Sequence, residues 1–325
     1  MSANHSHSSR DRRILPDSKP SHLRCPRVNL PLGERTLVMG ILNVTPDSFS
    51  DGGKYLDHVA AVKRGLELAE QGADIIDIGG ESTRPSAEDV PPGEEIRRVV
   101  PVIEALAKRT KVPISIDTRK SAVAKRAVEA GAQIINDVSA LHHDPAILKV
   151  AVDNATPVIL MHMRGTPSTM QRQTAYEDLM AEMEDYLIDA VGKCISAGLG
   201  YDQVVIDPGI GFAKTAEQNL EILANLGKLA ALRLALMVGA SRKSFIGHIL
   251  DLPSEERLEG TAAAVAACVL GGADIVRVHD VREMVRVVKV CDAIRSRRGS
   301  QTPKRSGATG EVCPPVSARE GFFVK

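Results

Sequence analysis

The sequence predicts an α/β protein that folds as a single-domain (β/α)₈ TIM barrel. Eight short apolar runs, typical of buried parallel strands, alternate with longer stretches of helical periodicity between residues 36 and 295. Their number and the length of chain they occupy match an eight-stranded barrel. The alternative is an open doubly wound sheet. We favour the barrel because the first strand is not followed by a dinucleotide-binding glycine pattern, and because the sequence has no Walker phosphate-binding loop.

The first predicted strand shows the pattern that the others repeat. Leu37 to Leu42 is an apolar run that turns polar at Asn43, and the following loop up to Gly53 is rich in Gly and Pro. An abrupt change of this kind places Asn43 at the C-terminal end of the strand. The predicted strands are 36–42, 74–78, 113–116, 133–135, 157–161, 203–206, 235–238 and 274–278.

The stretches between the strands place apolar residues at helical spacing. In 57–70, for example, Val59, Val62 and Leu66 fall on one stripe. The predicted helices are 57–70, 94–108, 120–130, 144–153, 175–197, 216–228, 256–270 and 281–295. A glycine precedes four of the strands, where a left-handed residue that ends a helix is expected. These glycines are Gly72, Gly131, Gly198 and Gly272.

Polar segments flank the barrel at both ends of the chain. Residues 1–32 are rich in Ser, His, Arg and Pro, and residues 299–325 are rich in Gly, Ser and Pro. We interpret both segments as disordered tails, so that the barrel occupies residues 33–298. Neither segment carries a buried apolar pattern, and we expect deletion of residues 1–30 and 300–325 to leave folding and turnover largely intact.

Composition excludes several classes of function. Acidic and basic residues balance at 41 each and Trp is absent, which argues against a general binder of nucleic acid or of an anionic membrane. The N-terminus lacks the apolar core of a secretory signal, and the longest apolar segment, 262–270, is too short to span a bilayer. The five cysteines are odd in number and far apart. We therefore expect reduced thiols and a cytoplasmic protein.

Polar residues follow every predicted strand. In a barrel the C-terminal ends of the strands converge on one mouth, and unmatched polar groups are unfavourable to bury, so this pattern predicts a ligand site there. The residues are Asn43, Asp77 with Glu81, Asp117, Asn136 with Asp137, His162, Asp207, Ser241 with Arg242 and Lys243, and Arg277 with His279 and Asp280.

The strand-end residues fall into two chemical groups. Carboxylates accept paired N–H groups and an amide both donates and accepts, so Asp117, Asn136 and Asp207 suit a flat, nitrogen-rich heterocycle. The second group suits phosphate oxygens. It consists of Arg84, Arg277 and His279. Together the two groups indicate a heterocycle that carries a diphosphate.

Other strand-end residues have more than one interpretation. Asn43 is a candidate oxygen ligand for Mg²⁺, which often binds through few protein groups together with substrate phosphates. Asp77 and Asp137 are candidates for the site or for hydrogen bonds that orient loops. His162 is a candidate for the site or for a buried histidine of the wall.

Eight phrases, one for each strand, carry a resemblance to a known family. They are ILNVTPDSFSDGG at 41–53, DIGGESTRPSA at 77–87, ISIDTRK at 114–120, IINDVSA at 134–140, LMHMRGTPSTMQ at 160–171, IDPGIGFAKT at 206–215, GASRKSFIG at 239–247 and RVHDV at 277–281. In this order they resemble the dihydropteroate synthases of the folate pathway, and they cover essentially all of 36–295. Each phrase alone is only modestly specific.

The resemblance implies a reaction and a set of residue roles. The family joins (7,8-dihydropterin-6-yl)methyl diphosphate to 4-aminobenzoate and releases diphosphate. The implied pterin residues are Asp117, Asn136, Met161, Asp207 and Lys243, and the residues at the diphosphate are Thr83, Arg84, Arg277 and His279. The implied aminobenzoate residues are Pro85, Phe212 and Ser244, and Asn43 is the implied Mg²⁺ ligand. The residues implied in catalysis are Asp117, Lys243, Arg277 and His279. Cleavage of the C–O bond would precede attack by the amine, with no protein nucleophile.

The resemblance also implies partners and moving parts. Loops 44–56 and 82–92 would close over the second substrate, and it stays open whether Phe49 and Asp51 enter the closed site. A homodimer is implied, with 256–270 as the candidate contact, as is inhibition by sulfonamides. Two other functions are weighed: a methyltetrahydrofolate-binding methyltransferase, which has no need to hold diphosphate, and a non-catalytic pterin-binding paralogue. The tails are too short for a fused pyrophosphokinase, so we expect a monofunctional chain.

Overall fold

The computed structural model describes residues 14–45, 53–82 and 89–298. Within these residues, eight parallel strands close into a barrel in which neighbours in the chain are neighbours in space, and the last strand pairs with the first. The predicted (β/α)₈ barrel is confirmed. Helices surround the strands, and the main apolar core lies between the two layers.

Each barrel strand lies within two residues of the predicted apolar run. The strands are β3 Leu37–Asn43, β4 Ile75–Gly79, β5 Ile114–Asp117, β6 Ile134–Asp137, β7 Val158–Met161, β8 Val204–Asp207, β9 Ala235–Val238 and β10 Ile275–Val278. Their residues are almost all buried, because one side of each strand faces the barrel interior and the other faces helices. The polar residue that ends each apolar run therefore lies at the same end of the barrel.

The helices follow the predicted segments with two differences. They are α1 Gly53–Glu70, α2 Pro92–Ala107, α3 Ser121–Ala130, α4 Ala146–Asp153, α5 Leu179–Ser196, α6 Ala216–Ala224, α7 Leu226–Ala230, α8 Ser244–Leu250, α9 Leu258–Leu270 and α10 Val281–Arg298. The predicted helix 216–228 is two helices, because Asn225 ends α6 and precedes α7. Helix α8 was not predicted, since its 7 residues are too few to show a helical period.

The four glycines predicted to end helices have the expected backbone. Their φ angles lie between 99° and 121°, a range that favours glycine because it has no Cβ. They are Gly72, Gly131, Gly198 and Gly272.

The N-terminal segment differs from the prediction. Strands β1 His22–Arg24 and β2 Asn29–Pro31 form an antiparallel hairpin, so the prediction of a disordered tail over 1–32 is wrong for residues 14–32. Leu23 and Leu30 of the hairpin are buried in one cluster with apolar residues from the barrel interior. No local pattern predicts this hairpin, because an isolated hairpin is stable only when it packs on a larger apolar surface. Residues 1–13 and 299–325 lie outside the described residues.

The hairpin closes the N-terminal end of the barrel. Its leucines pack against a ring of apolar residues near the start of seven of the eight barrel strands. The ring consists of Leu37, Met39, Ile75, Ile134, Ile159, Val205, Ala235, Met237 and Ile275. The opposite, C-terminal end is therefore where the polar strand ends meet. No helix in the described part of the chain is long and apolar enough to cross a membrane.

Candidate active site

A pocket at the C-terminal mouth brings together most of the predicted site residues. Strand pairing accounts for this, because Asp117 is in register with Asn136 on one side and with Gly79 on the other, and Met161 is in register with Asp207. The predicted residues that line the pocket are Asp117, Asn136, Met161, Asp207, Phe212, Lys243 and Arg277.

A larger cavity, of about 540 Å³, lies beside the mouth between the loops after β6 and β7. Its lining includes Arg164, Gln173 and Tyr186 but none of the residues predicted for the site. The Arg164 guanidinium donates to the Glu182 carboxylate and to the Ala175 carbonyl, so its charge is already paired. We therefore assign the site to the mouth, where the predicted polar and charged residues meet, although the cavity beside it is larger.

Arg277 lies between two carboxylates in the mouth. Its Nε donates to Asp77 Oδ2 at 2.6 Å, and its second guanidinium nitrogen donates to Asp117 Oδ2 at 2.8 Å. Asn136 Nδ2 also donates to Asp77 Oδ2, at 3.0 Å. Asp77 is fully buried and orients both the arginine and the amide, which are side chains of the site and not loop groups. The guanidinium that the resemblance assigns to diphosphate thus also pairs with Asp117, which the resemblance assigns to the pterin.

Burial shifts the pKa values of the charged groups in the pocket toward neutrality. It raises the pKa of Asp117 to about 7, against the opposing charge of Arg277. It raises the pKa of Asp207 to about 6, against the N–H of Gly209. The pKa of Lys243 falls to about 8, because burial and the nearby Arg277 disfavour its charge. Groups with pKa values displaced in this way are characteristic of functional sites.

His279 is held by Ser241, which lies in the loop after β9. Ser241 Oγ accepts a hydrogen bond from the His279 backbone N–H at 3.2 Å and lies 3.0 Å from His279 Nδ1. Burial, followed by the charge of Arg277, lowers the pKa of the imidazole to about 3, so the ring is neutral at neutral pH. When the Ser241 hydroxyl donates to Nδ1, the ring proton is on Nε2, which can then donate to an anion.

Arg242 and Asp280 pair with each other rather than with the pocket. Arg242 Nε donates to Asp280 Oδ2 at 2.9 Å, and its backbone N–H donates to Thr261 Oγ1 at 3.0 Å. Arg242 also has a φ of 56°, in the left-handed region. These contacts fix the turn that directs Lys243 into the pocket. Ser244 follows as the first residue of α8 and is exposed.

Lys243 and Phe212 meet at one wall of the pocket. The Lys243 ammonium lies 4.3 Å from the centroid of the Phe212 ring, a cation–π distance. Asp207 Oδ1 accepts from the Gly209 N–H at 2.8 Å, which ties the turn carrying Phe212 to the end of β8. An ammonium, an aromatic face and a carboxylate thus lie on adjoining sides of the pocket.

Glu81 and Asp137, two of the predicted strand-end carboxylates, hold loops in place through hydrogen bonds and do not line the pocket. Asp137 accepts from the Ser139 N–H, the Ser139 hydroxyl and the Leu141 N–H, at 2.6 to 2.8 Å. Glu81 accepts from Lys120 Nζ at 2.9 Å and from Arg119 Nε at 3.2 Å. Sequence reasoning assigned no role to these two cations, although both stand in the phrase at 114–120.

Lys214 is a buried residue near the site that sequence reasoning missed. Its ammonium lies 2.9 Å from His162 Nδ1 and donates to the carbonyls of Phe212 at 2.9 Å and Gly209 at 3.1 Å. His162 is itself buried in the wall, as one of its two interpretations anticipated, and burial lowers its pKa to about 2. A lysine in a loop is normally solvated, so the sequence has no local signal for this contact.

Five of the residues named from the sequence lie in segments that the structure does not describe. Thr83, Arg84 and Pro85 lie outside the described residues, as do Phe49 and Asp51. Asn43 lies at the end of β3, in register with Gly79. Within the described residues, no group of three or more His, Cys, Asp or Glu side chains is arranged to hold a metal ion. A metal at Asn43 would therefore need ligands from a substrate or from water.

Known proteins share this fold and these phrases. Residues 39–279 match the pterin binding enzyme family. The dihydropteroate synthase of Synechocystis sp. is 51% identical over 263 residues, which are 81% of this chain and 91% of the relative. That of Bacillus subtilis is 48% identical over 82% of this chain and 91% of the relative.

Solved structures agree with the sequence comparison. The Yersinia pestis dihydropteroate synthase in complex with a sulfonamide drug has a TM-score of 0.80 at 44% identity, covering 85% of this chain and 99% of that one. The Xanthomonas albilineans enzyme with 4-aminobenzoic acid has a TM-score of 0.80 at 44% identity, over 85% and 98%. The same enzyme with 7,8-dihydropteroate has a TM-score of 0.77 at 42% identity, over 85% and 99%. The chain therefore belongs to the pterin binding enzyme family, among its dihydropteroate synthases.

Proposed function

We propose that this chain condenses (7,8-dihydropterin-6-yl)methyl diphosphate with 4-aminobenzoate, giving 7,8-dihydropteroate and diphosphate. The observation that carries the proposal is one pocket in which Asp117, Asn136 and Asp207 adjoin Lys243 and Arg277. Asp117, Asn136, Asp207 and Lys243 would bind the pterin, and Arg277 would bind the diphosphate. Relatives that are 43–51% identical over most of the chain are dihydropteroate synthases, which supports the same reaction.

Unpaired acceptors in the pocket support binding of a heterocycle. Asn136 Oδ1 is buried and has no hydrogen-bond partner within the described residues, and the same is true of Asp77 Oδ1. A buried acceptor without a partner is costly, so a ligand that donates N–H groups would relieve this cost. The ring nitrogens and amino group of a pterin are donors of this kind, and the Asp207 carboxylate can accept from two of them.

The cations would stabilise the leaving diphosphate. Arg277 is held by two carboxylates whose combined charge exceeds its own, and a diphosphate would offer it stronger bidentate contacts. The neutral His279 can add a donor through Nε2. As the C–O bond breaks, negative charge grows on the diphosphate and positive charge on the pterin methylene. Arg277 would stabilise the first and the carboxylate of Asp117 the second.

The second substrate would then attack the pterin methylene through its amine. The resemblance assigns it to Phe212 and Ser244, and the two lie on turns that flank Lys243 at the rim of the pocket. The Phe212 ring offers an apolar face to the aromatic ring of aminobenzoate, and the exposed Ser244 hydroxyl can donate to its carboxylate. No protein nucleophile is needed, because the substrate amine forms the new bond.

Magnesium is the divalent ion we propose for this site. Mg²⁺ usually keeps several waters and binds through one or two protein groups together with substrate phosphates. The residues present fit that mode, because Asn43 provides an amide oxygen on the side of Gly79 where Asp117 also lies. The ion would neutralise diphosphate oxygens and make them a better leaving group.

A homodimer in the cytoplasm is the assembly and location we propose. Val265 lies within the candidate contact 256–270 but is only 1% exposed. It packs in the barrel, so it is not a contact between subunits. The apolar side chains of Leu220, Ile249 and Leu250 are instead 42–55% exposed on the neighbouring helices α6 and α8. Cys25, Cys194, Cys268 and Cys291 are buried free thiols, in keeping with a reducing compartment.

Turnover is the test of the proposed function. The protein is incubated with the pterin diphosphate, 4-aminobenzoate and Mg²⁺, and dihydropteroate and diphosphate are measured together. We expect both products in equal amounts. The Lys149→Met variant, which changes a lysine on α4 that is 78% exposed, serves as the control and should retain full activity. Pterin binding without any product would contradict the proposal and favour a non-catalytic paralogue.

A further inference from the structure

Lys214 is enclosed by acceptors that belong to two different parts of the mouth. Its side chain is 3% exposed, and its ammonium contacts one ring nitrogen of His162 and the carbonyl oxygens of Gly209 and Phe212. His162 follows β7, whereas the two carbonyls belong to the turn that follows β8. The carbonyl oxygen of His162 lies farther away, at 3.5 Å, so the three N–H groups of the ammonium match the three nearer acceptors.

The turn that Lys214 holds has little regular backbone structure of its own. Gly209, Gly211 and Ala213 all have positive φ angles, of 66°, 84° and 52°. A Cβ built at Gly209 would lie 2.1 Å from the carbonyl oxygen of His162, so the turn packs directly against the end of β7. Side chains must therefore supply the contacts that a helix or strand would provide through its backbone.

Lys214 is not the only contact that holds the turn. Asn219 Oδ1 accepts from the Gly211 N–H at 2.7 Å, and the Tyr176 hydroxyl donates to the Ala213 carbonyl at 3.0 Å. Both remain when Lys214 is changed, so the turn should stay folded but lose its attachment to His162. This makes a specific effect on the site separable from loss of the fold.

We infer that Lys214 is a positioning residue for the second substrate, acting through the turn 209–212. The inference rests on the proposed function, since it assigns the face of Phe212 to 4-aminobenzoate. Asp117, Asn136 and Asp207, which would hold the pterin, are the last or next-to-last residues of strands, and the sheet fixes them. Phe212 has no such support. The carbonyl of Phe212 is a direct acceptor of Lys214, so the orientation of its ring depends on this contact.

The turn also bounds the side chain of Lys243. A Cβ at Gly211 would lie 3.1 Å from Lys243 Cδ, and the Lys243 ammonium lies over the Phe212 ring. Movement of the turn would therefore widen the gap between Phe212 and Lys243, which is where an aromatic ring of the second substrate would enter. The carboxylates and the amide that would hold the pterin belong to the strands instead, so movement of the turn should disturb them less.

The Lys214→Met variant tests the inference, because methionine preserves most of the volume and removes the donors. We expect the KM for 4-aminobenzoate to rise by about tenfold to a hundredfold, the effect of losing charge-assisted hydrogen bonds. Pterin binding, measured by calorimetry, should change by less than about threefold. The Leu229→Ala variant, which opens a cavity at a buried site on α7, controls for lost stability and should leave both constants unchanged.

The His162→Phe variant is a second, independent test. It keeps an aromatic ring and removes the nitrogen that faces Lys214, so the KM for 4-aminobenzoate should rise in the same direction. In the double variant the increase should be no larger than in Lys214→Met alone, because both changes break one contact. The inference would be overturned if the KM for 4-aminobenzoate and the affinity for the pterin changed by equal factors. It would also be overturned if the KM for 4-aminobenzoate were unchanged in both folded single variants. A wild-type protein that binds pterin but forms no product would instead overturn the proposed function.

Discussion

The two ends of the barrel interior are filled with opposite chemistry. At the N-terminal end, Leu23 and Leu30 of the hairpin cover a ring of apolar side chains from seven of the eight strands. At the C-terminal end, Arg277 is paired with Asp77 and Asp117 beside a pocket that Met161 and Phe212 also line. Within the barrel interior, the charged side chains thus lie at the C-terminal end. We call the hairpin and the apolar ring that it covers the floor. The floor is stabilised by the burial of apolar side chains, whereas the mouth contains buried charged groups that a ligand would pair more completely.

Burial of charged groups therefore lowers the stability of the mouth, whereas the floor has no such penalty. Burial opposes the charge of Asp117, Asp207 and Lys243, as their shifted pKa values show. A barrel of this kind separates stability at one end from function at the other. If the separation is real, substitutions at the mouth should change catalysis, and substitutions at the floor should change the free energy of unfolding.

The largest effect is expected for Arg277→Ala. Loss of two charge-assisted contacts, at about 1.5–3 kcal/mol each, should lower kcat/KM by roughly 10²- to 10⁴-fold. Affinity for the diphosphate-bearing pterin should fall far more than affinity for the bare pterin alcohol, as measured by calorimetry. The counterpart at the floor is Arg24→Ala, which breaks a partly exposed pair with Asp202 and should cost no more than about 1 kcal/mol of stability. Equal weakening of both pterin ligands would contradict the role of Arg277.

The Leu23→Ala variant tests the floor. Removing a fully buried leucine typically lowers the free energy of unfolding by about 2–5 kcal/mol, because a cavity remains. Denaturant unfolding measures this loss. The KM values for both substrates should stay at wild-type levels when the protein is assayed well below its unfolding midpoint. A variant of normal stability with altered KM values would show that the two ends are not separate.

Within the mouth, Ser244→Ala separates the two substrates. It removes one hydroxyl donor to the carboxylate of 4-aminobenzoate, so we expect a loss of about 1.5–3 kcal/mol, or roughly ten- to a hundredfold in the corresponding KM. Sulfonamides should weaken in parallel, and pterin binding should remain measurable by calorimetry. The matched variant Lys243→Ala should impair pterin binding first. Pterin binding that is lost in the serine variant and kept in the lysine variant would reverse both assignments.

A smaller effect is expected from pH. The pKa of Asp207 is raised to about 6, so its carboxylate gains a proton as the pH falls through 6 and can no longer accept two N–H groups from the pterin. Asp117, whose pKa is about 7, gains its proton first, so pterin affinity should begin to fall near pH 7 and fall more steeply below pH 6, by about tenfold per pH unit for each carboxylate. The His279→Gln variant should keep this acid limb, because the pKa of His279 is about 3. At the floor, Arg24 holds the pKa of Asp202 below its usual value, so packing there should not respond between pH 5 and 8.

Most residues of the mouth could be predicted, because each strand end is marked by a pattern of neighbouring residues in the sequence. A buried parallel strand is a short apolar run, and the first polar residue after it marks the strand end, as at Asp117 and Asp207. The fold then brings these ends together. The partners of Arg277 were not predictable, since Asp77 and Asp117 lie 200 and 160 residues away in the chain.

The floor was missed because its signal is not local. Leu23, Leu30 and Leu32 are single apolar residues in a polar segment, and their burial depends on a ring assembled from strands distributed along the chain. Lys214 was missed for a similar reason. Its acceptor on His162 lies 52 residues earlier, and its other acceptors are backbone carbonyls, which carry no sequence signal.

The position of the hairpin has a consequence for the order of folding. It lies near the start of the chain, yet the ring it covers includes Ile275 of β10, the last strand to be synthesised. Contacts between segments so distant in sequence form slowly. We therefore expect the hairpin to dock only after the barrel has closed. The Leu23→Ala variant should then unfold faster in stopped-flow experiments while its refolding rate stays close to that of the wild type. On a ribosome, these leucines would remain exposed until nearly the whole chain has emerged.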